Sequence, residues 1–138
     1  MTLTDLLTSL NGRINRQPFW IALICLSIPE FIAHVTLDER WDSILSLILA
    51  YPEFAVFAKR GHDRNVPTWI PGLFFAGSVV LNALALFGLF GPMENPNTLF
   101  YVVGIPVGIG GLILLVDFGF RRGTTGPNRY GPDPLPPQ

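Results

Sequence analysis

An adjacent histidine and aspartate, His62 and Asp63, are the residues whose types and spacing most resemble a reactive site. Neighbouring imidazole and carboxylate groups occur in metal-dependent phosphohydrolases, where they bind metal ions. A metal site of that kind needs several more ligands. The only other histidine, His34, falls towards the far end of the first predicted helix. We therefore expect no metal, no cofactor and no catalytic role for this pair.

Basic residues surround the same pair and suggest anion binding instead. Eight of the nine lysines and arginines fall in three short stretches, at positions 13–16, 59–64 and 121–129. Local acids are fewer, so positive charge is in surplus. Beside an anionic leaflet, each basic residue contributes about 1 kcal/mol of attraction. The alternatives are that the arginines only set topology and cap helix ends, or that they bind a phosphorylated metabolite or a partner protein. A general nucleic-acid-binding surface is not expected.

A second group of polar residues lies inside apolar sequence. Glu30 and His34 are one helical turn apart, and the helical rise places Asn82 at a similar depth. Polar side chains in membrane spans usually face the bundle interior or a water-filled cavity. The group is either a structural hydrogen-bonded cluster or a polar site of a small oligomeric transporter or channel subunit.

The apolar runs that contain this group are long enough to cross a membrane. The chain is 49% hydrophobic and 14% charged, whereas soluble domains average about 25% charged residues. Unpaired backbone groups are not tolerated in lipid, so the spans must be helices. We predict an all-α membrane protein with a single domain over residues 1–138 and helices at about 18–37, 41–58, 67–90 and 98–120.

The distribution of basic residues also predicts the orientation of these helices. Lysine and arginine in short loops remain on the cytoplasmic side. Of the nine basic residues, only Arg40 falls on the other side. The prediction is an up-down-up-down bundle with both termini, and the tail at 121–138, in the cytoplasm. A stripe of glycines at 104, 108 and 111 predicts close helix packing, within the monomer or in a homo-oligomer.

Three segments carry more detail than membrane residence requires. They are Gly12-Arg13-Ile14-Asn15-Arg16-Gln17-Pro18-Phe19-Trp20, Lys59-Arg60-Gly61-His62-Asp63-Arg64 and Gly123-Thr124-Thr125-Gly126-Pro127-Asn128-Arg129-Tyr130-Gly131-Pro132-Asp133-Pro134. In order and spacing they resemble the motifs of domain-of-unknown-function family 805, the YhaH-like small bacterial inner-membrane proteins. Two features depart from the family pattern. Lys59 stands where the family has arginine, and the segment Asn65-Val66-Pro67-Thr68-Trp69 lacks the usual Ser-Gly/Ala-Trp-Trp.

The resemblance implies a helical fold in the bacterial inner membrane and supplies no reaction. All three motifs lie near predicted cytoplasmic helix ends, so we expect them to converge. Asp63 is predicted to pair with Arg13 or Arg16, His62 to bond a loop carbonyl, and Tyr130 to anchor a C-terminal lid. The candidate site residues are Arg13, Arg16, Lys59, Arg60, His62, Asp63, Asn128, Arg129, Tyr130 and Asp133.

The function predicted from this patch is non-enzymatic. It is expected to engage anionic lipid headgroups or a partner protein of the membrane. Two further acids, Glu53 and Asp117, are predicted to pair with the basic residues, because both lie within reach of the cytoplasmic boundary.

Overall fold

The chain folds into five helices, as described by a computed structural model for residues 1–92 and 94–135. They are α1 (Leu3–Thr8), α2 (Arg16–Thr36), α3 (Glu39–Asp63), α4 (Trp69–Leu86) and α5 (Thr98–Phe120). Within the described ranges there is no β-strand, and the only β-type pairing is an isolated bridge between Asn128 and Gly131. Helices α2 to α5 are long and apolar enough to cross a membrane. The predicted all-α architecture with four such helices is confirmed, and the tail prediction for 136–138 lies outside the described residues.

Polar residues define where most of the helices begin. The side chains of Asn15, Asp38 and Asn97 accept hydrogen bonds from backbone N–H groups in the first turns of α2, α3 and α5. These N–H groups have no partner within the helix, so a side-chain acceptor stabilises the first turn. Helix α4 has no such cap, because Thr68 hydrogen-bonds through its hydroxyl to His62.

The third helix extends further than its hydropathy predicts. The apolar run stops near residue 58, but α3 continues to Asp63. Its last turns stay helical because Lys59, Arg60 and Asp63 are buried among polar partners. Asn65 then adopts a left-handed conformation, with φ 59°, and the N–H of Val66 bonds the Gly61 carbonyl at 2.8 Å, which closes the helix end. The basic and acidic side chains at 59–63 thus lie on a helix and not in a loop.

A short N-terminal helix, α1, was missing from the sequence prediction. Thr2 and Asp5 form a reciprocal capping box at its start. Its far end is fixed by α3, because the Tyr51 hydroxyl donates to the Thr8 carbonyl at 2.8 Å. Six residues are too few to form a stable helix alone, so α1 depends on this tertiary contact.

Helix α3 is the centre of the bundle and contacts every other helix. Successive long helices are neighbours, and α2 also meets α5, whereas α2 and α4 are not in contact. The start of α2, the end of α3, the start of α4 and the end of α5 lie together, and we call this the motif end. Gly104 and Gly111 face Leu81 and Phe74 of α4, so these two glycines serve packing inside the monomer.

The hydrophobic core is aromatic and lies towards the motif end. Phe57 of α3 meets Phe19 of α2 and Phe75 of α4 edge to face, with ring centroids 5.2 and 5.3 Å apart. Phe118 of α5 packs against the same ring. Outside this core the helices expose large apolar side chains, including Ile24, Ile28, Ile105, Ile109 and Leu112. An exposed apolar surface of this extent suits contact with lipid.

We predict that Gly119→Ala lowers the thermal unfolding midpoint. A Cβ at Gly119 would lie 2.5 Å from the Trp20 indole, and such overpacking costs about 1–3 kcal/mol. Gly108→Ala is the matched control, because it lies in the same helix and a Cβ there meets nothing within 4 Å. Fluorescence-detected melting of both variants in detergent tests this, and equal midpoints would contradict the assigned close approach.

Candidate functional site

The three motifs converge on one carboxylate at the motif end. Arg13 donates from Nε and Nη2 to Asp63 Oδ1, at 3.2 and 3.0 Å, and Arg60 pairs with Asp63 Oδ2. All three side chains are almost wholly buried, with 1%, 0% and 4% of their surface exposed. We call Arg13, Arg60 and Asp63 the arginine–aspartate cluster. The predicted pairing of Asp63 with Arg13 is confirmed, and Arg16 is not part of the cluster.

The remaining donors of both arginines bind main-chain carbonyls. Arg60 donates to the carbonyls of Phe118 and Arg121 at the end of α5, both at 2.6 Å. Arg13 donates to carbonyls of the C-terminal segment, residues 121–135, at Thr124 (2.7 Å), Gly126 (2.8 Å) and Gly131 (3.2 Å). Carbonyls past a helix end lack helical partners, so the two guanidinium groups fix the C-terminal segment to the helices.

His62 and Tyr130 form a second contact between α3 and the C-terminal segment. Their rings stack with centroids 3.9 Å apart and an interplanar angle of 5°. Imidazole Nδ1 must donate to the Gly12 carbonyl (3.0 Å), so Nε2 of the neutral ring accepts from the Thr68 hydroxyl (2.7 Å). Because both ring nitrogens are engaged, His62 has no free lone pair for a metal or a substrate proton. Tyr130 therefore attaches the C-terminal segment to α3, as predicted.

Asn128 completes this attachment. Its amide donates to the His62 carbonyl at 2.9 Å and to the Thr124 hydroxyl at 2.8 Å. Thr124 in turn bonds the Asp63 carbonyl through its N–H at 2.7 Å. Gly123 lies so close to Asp63 that a Cβ there would overlap the carboxylate. The three segments therefore form one hydrogen-bonded unit.

Lys59 has a separate role from the neighbouring arginine. Its ammonium group donates to the carbonyls of Leu6 (2.9 Å), Ser9 and Ala55 (3.3 Å). Three donors meet three acceptors, which matches the geometry of an ammonium group. Lysine at this position thus holds the end of α1 against α3, a function that the sequence did not predict.

The other basic residues of the motif end are accessible. Arg64 and Arg121 share Asp117, at 3.2 and 3.0 Å, so the prediction for Asp117 is confirmed. Arg129 lies over the Tyr130 ring, 4.8 Å from its centroid, and Arg16 donates to the Phe120 carbonyl at 3.2 Å. We call the four exposed arginines the cationic rim: Arg16, Arg121, Arg122 and Arg129.

Asp133 closes the turn of the C-terminal segment. Its carboxylate accepts from the N–H of Leu135 at 3.0 Å and from the N–H of Gly126 at 2.7 Å. These two donors, in that order of importance, hold the pKa of Asp133 below its ordinary value. The ionised carboxylate therefore supports the folded turn.

The predicted intramembrane group is not assembled. His34 bonds Asp42 at 3.0 Å, and Asn82 bonds the Ser78 carbonyl of its own helix at 3.0 Å. Glu30 faces Ser46 and Glu53 of α3. Asn82 belongs to α4, which α2 does not contact, so the structure does not bring Glu30, His34 and Asn82 together. Glu53 faces Glu30 and does not join the basic residues as predicted.

Comparison with known proteins places these motifs in a family. The sequence model of the family described as "Protein of unknown function (DUF805)" matches residues 7–132. This range contains every candidate site residue except Asp133. The chain belongs to this family. It is similar to the "Uncharacterized protein YiiR" of Escherichia coli strains K12 and O157:H7, with 29% identity over 141 residues, covering 96% of this chain and 90% of each relative. No solved structure gives a significant match.

We predict that Asp63→Asn strongly destabilises this DUF805 protein. Removing one partner of a buried ion pair costs about 3–5 kcal/mol, and here two buried guanidinium groups lose their shared anion. Asp117→Asn is the matched control, since its carboxylate is partly exposed and exposed pairs contribute about 0–1 kcal/mol. Yield of monodisperse protein and thermal midpoint measure the effect. Unchanged values for Asp63→Asn would refute a structural role.

We also predict that Asp133→Asn reduces the loss of stability in acid. Folding lowers the pKa of Asp133 from its ordinary value of 3.8. The ionised carboxylate therefore stabilises the folded state fully above pH 3.8, and this stabilisation is lost as the pH falls through the lower folded-state pKa. The variant should melt earlier than the wild type at neutral pH, and the two midpoints should approach each other in acid. Glu94→Gln, in the loop before α5, is the control. A constant difference between Asp133→Asn and wild type at every pH would disprove the linkage.

Proposed function

We propose that this protein is a non-enzymatic, multi-pass protein of the bacterial inner membrane whose motif end faces the cytoplasm and binds anionic lipid headgroups. The orientation is supported by the basic residues, because eight of the nine belong to the motif end and only Arg40 lies at the opposite end. Lysine and arginine near helix ends are retained in the cytoplasm. The exposed indoles of Trp41 and Trp69, at opposite ends, fit the two interfaces of one bilayer.

The observation that carries lipid binding is the separation of buried from exposed arginines. Arg13 and Arg60 are buried and bonded within the fold, whereas the cationic rim is exposed at the start of α2, just after α5 and in the C-terminal segment. Side chains at this level would lie among the headgroups of the inner leaflet. Exposed positive charge beside anionic lipid attracts it over about a Debye length. The rim is therefore the surface we assign to lipid.

A non-enzymatic role is supported by the state of the most reactive-looking side chains. His62 has both nitrogens hydrogen-bonded, and Asp63 is held by two guanidinium groups. Neither is positioned to exchange a proton with a substrate. The buried motif residues are then required for folding, and the exposed cationic rim binds the lipid headgroups. A membrane-protein partner could occupy the same surface, and lipid is the simpler occupant because it is always adjacent.

Lipid binding is tested with the double variant Arg121→Gln/Arg129→Gln. Native mass spectrometry of the detergent-solubilised protein counts the molecules of phosphatidylglycerol or phosphatidylcholine retained. Two rim charges contribute about 2 kcal/mol together, so the affinity of the rim for phosphatidylglycerol should fall about tenfold or more, and retention of phosphatidylcholine should not change. The effect should weaken at high salt.

Arg40→Gln is the control, because Arg40 is exposed at the opposite end. It should leave phosphatidylglycerol retention unchanged. Equal retention by the double variant and the wild type, or an equal loss in Arg40→Gln, would refute the proposal. Thermal midpoints verify that the variants remain folded.

A further inference from the structure

A cavity opens between the start of α2 and the C-terminal segment. Its volume is about 720 Å³, within the range of small-molecule binding sites. Asn15 and Arg16 form one wall, and residues 122–127 form the other. Arg60 and Asp63 lie at its base, and Leu135 supplies an apolar edge. The cavity is thus formed by all three family motifs together.

The cavity is rich in positive charge. Arg16 and Arg122 line it from exposed positions, and within residues 1–92 and 94–135 no carboxylate lies within ion-pair distance of either. In the same described ranges the Arg122 guanidinium makes no hydrogen bond, while Arg16 donates once, to a main-chain carbonyl. Both side chains can therefore turn their free donors to a ligand.

The base of the cavity adds to this positive charge. Arg13 and Arg60 share the single carboxylate of Asp63, so the arginine–aspartate cluster retains one positive charge in a buried position. Asp133 is the other acid of the lining, and its oxygens already accept two main-chain N–H groups. Three arginines, Arg16, Arg60 and Arg122, thus line the cavity beside two carboxylates, and one of those carboxylates also pairs with Arg13. Buried charge without compensation is unfavourable, and an anion in the cavity would compensate it.

We propose that this cavity binds the phosphate group of a phosphate ester. Guanidinium groups bind phosphate through two parallel hydrogen bonds, a geometry that an ammonium group does not offer. The volume exceeds that of phosphate alone, so the attached organic group would lie along Pro127 and Leu135. The site deepens the proposed function and rests on it, because the motif end must face the cytoplasm. The ester is either the headgroup of an inner-leaflet phospholipid or a soluble metabolite.

The experiment uses the full-length protein in phosphatidylcholine nanodiscs. One arm titrates glycerol 3-phosphate by isothermal calorimetry, and the other adds a dilute phosphatidylglycerol fraction to the nanodiscs and measures its retention after extraction. We expect one bound molecule per chain in at least one arm. Arg16→Gln and Arg122→Gln should each weaken that binding about tenfold, the effect of losing a charge-assisted hydrogen bond. Arg122→Lys should restore only part of it, since lysine lacks the planar fork.

The controls separate this site from the rim as a whole. Arg40→Gln should not change either titration, and Arg121→Gln/Arg129→Gln should keep the single strong site while losing additional lipid. Binding only of phosphatidylglycerol identifies the ester as a lipid headgroup, and binding only of glycerol 3-phosphate identifies it as soluble. Saturable binding in neither arm, or binding that is unaffected in Arg16→Gln/Arg122→Gln, overturns the proposal. If the rim retains no lipid while the single strong site still binds its ligand, the proposal of lipid binding by the rim is refuted and the cavity proposal stands.

Discussion

The carboxylate of Asp63 shared by two buried guanidinium groups is the interaction on which the motif end depends. Arg13 comes from the turn before α2 and Arg60 from the last turns of α3, and both donate to carbonyls that follow α5. Without the anion, two positive charges would repel each other in a poorly solvated environment. With it, each guanidinium can use its other donors on the main chain. Three sequence-distant segments are joined because one acid makes two buried cations tolerable.

The backbone conformation just before α2 allows Arg13 to reach Asp63. Gly12 has a φ of 92°, a left-handed conformation that residues with a side chain rarely adopt. The turn it makes precedes Arg13, whose side chain reaches Asp63 and the C-terminal segment. Ile14 then bonds the Lys59 carbonyl through its N–H, and its side chain enters the core. Arg16, the first residue of α2, faces outward. Only two residues, Ile14 and Asn15, therefore separate a buried structural arginine from an exposed one.

Hydropathy and motif position predicted the four long helices and the convergence of the motifs, because both follow from where apolar runs end. They did not predict that α3 continues through Lys59, Arg60 and Asp63, since hydropathy treats a charged side chain as exposed whatever its partners. Depth estimates for Glu30, His34 and Asn82 failed for a related reason. Helical rise gives height along the axis, but the facing residue depends on helix rotation and on which helices touch.

The distribution of donors at the motif end is compatible with the proposed anion binding as well as with folding. Arginines whose donors are filled by Asp63 and main-chain carbonyls cannot recognise a ligand without unfolding the C-terminal segment. Arg16 and Arg122 have donors to spare, and they lie beside the buried surplus of charge. The buried pair supplies a fixed positive field at no further conformational cost, because its side chains are already ordered. The exposed pair then needs to order only two side chains around an anion, and this preorganisation is the physical reason to seek the ligand in the cavity.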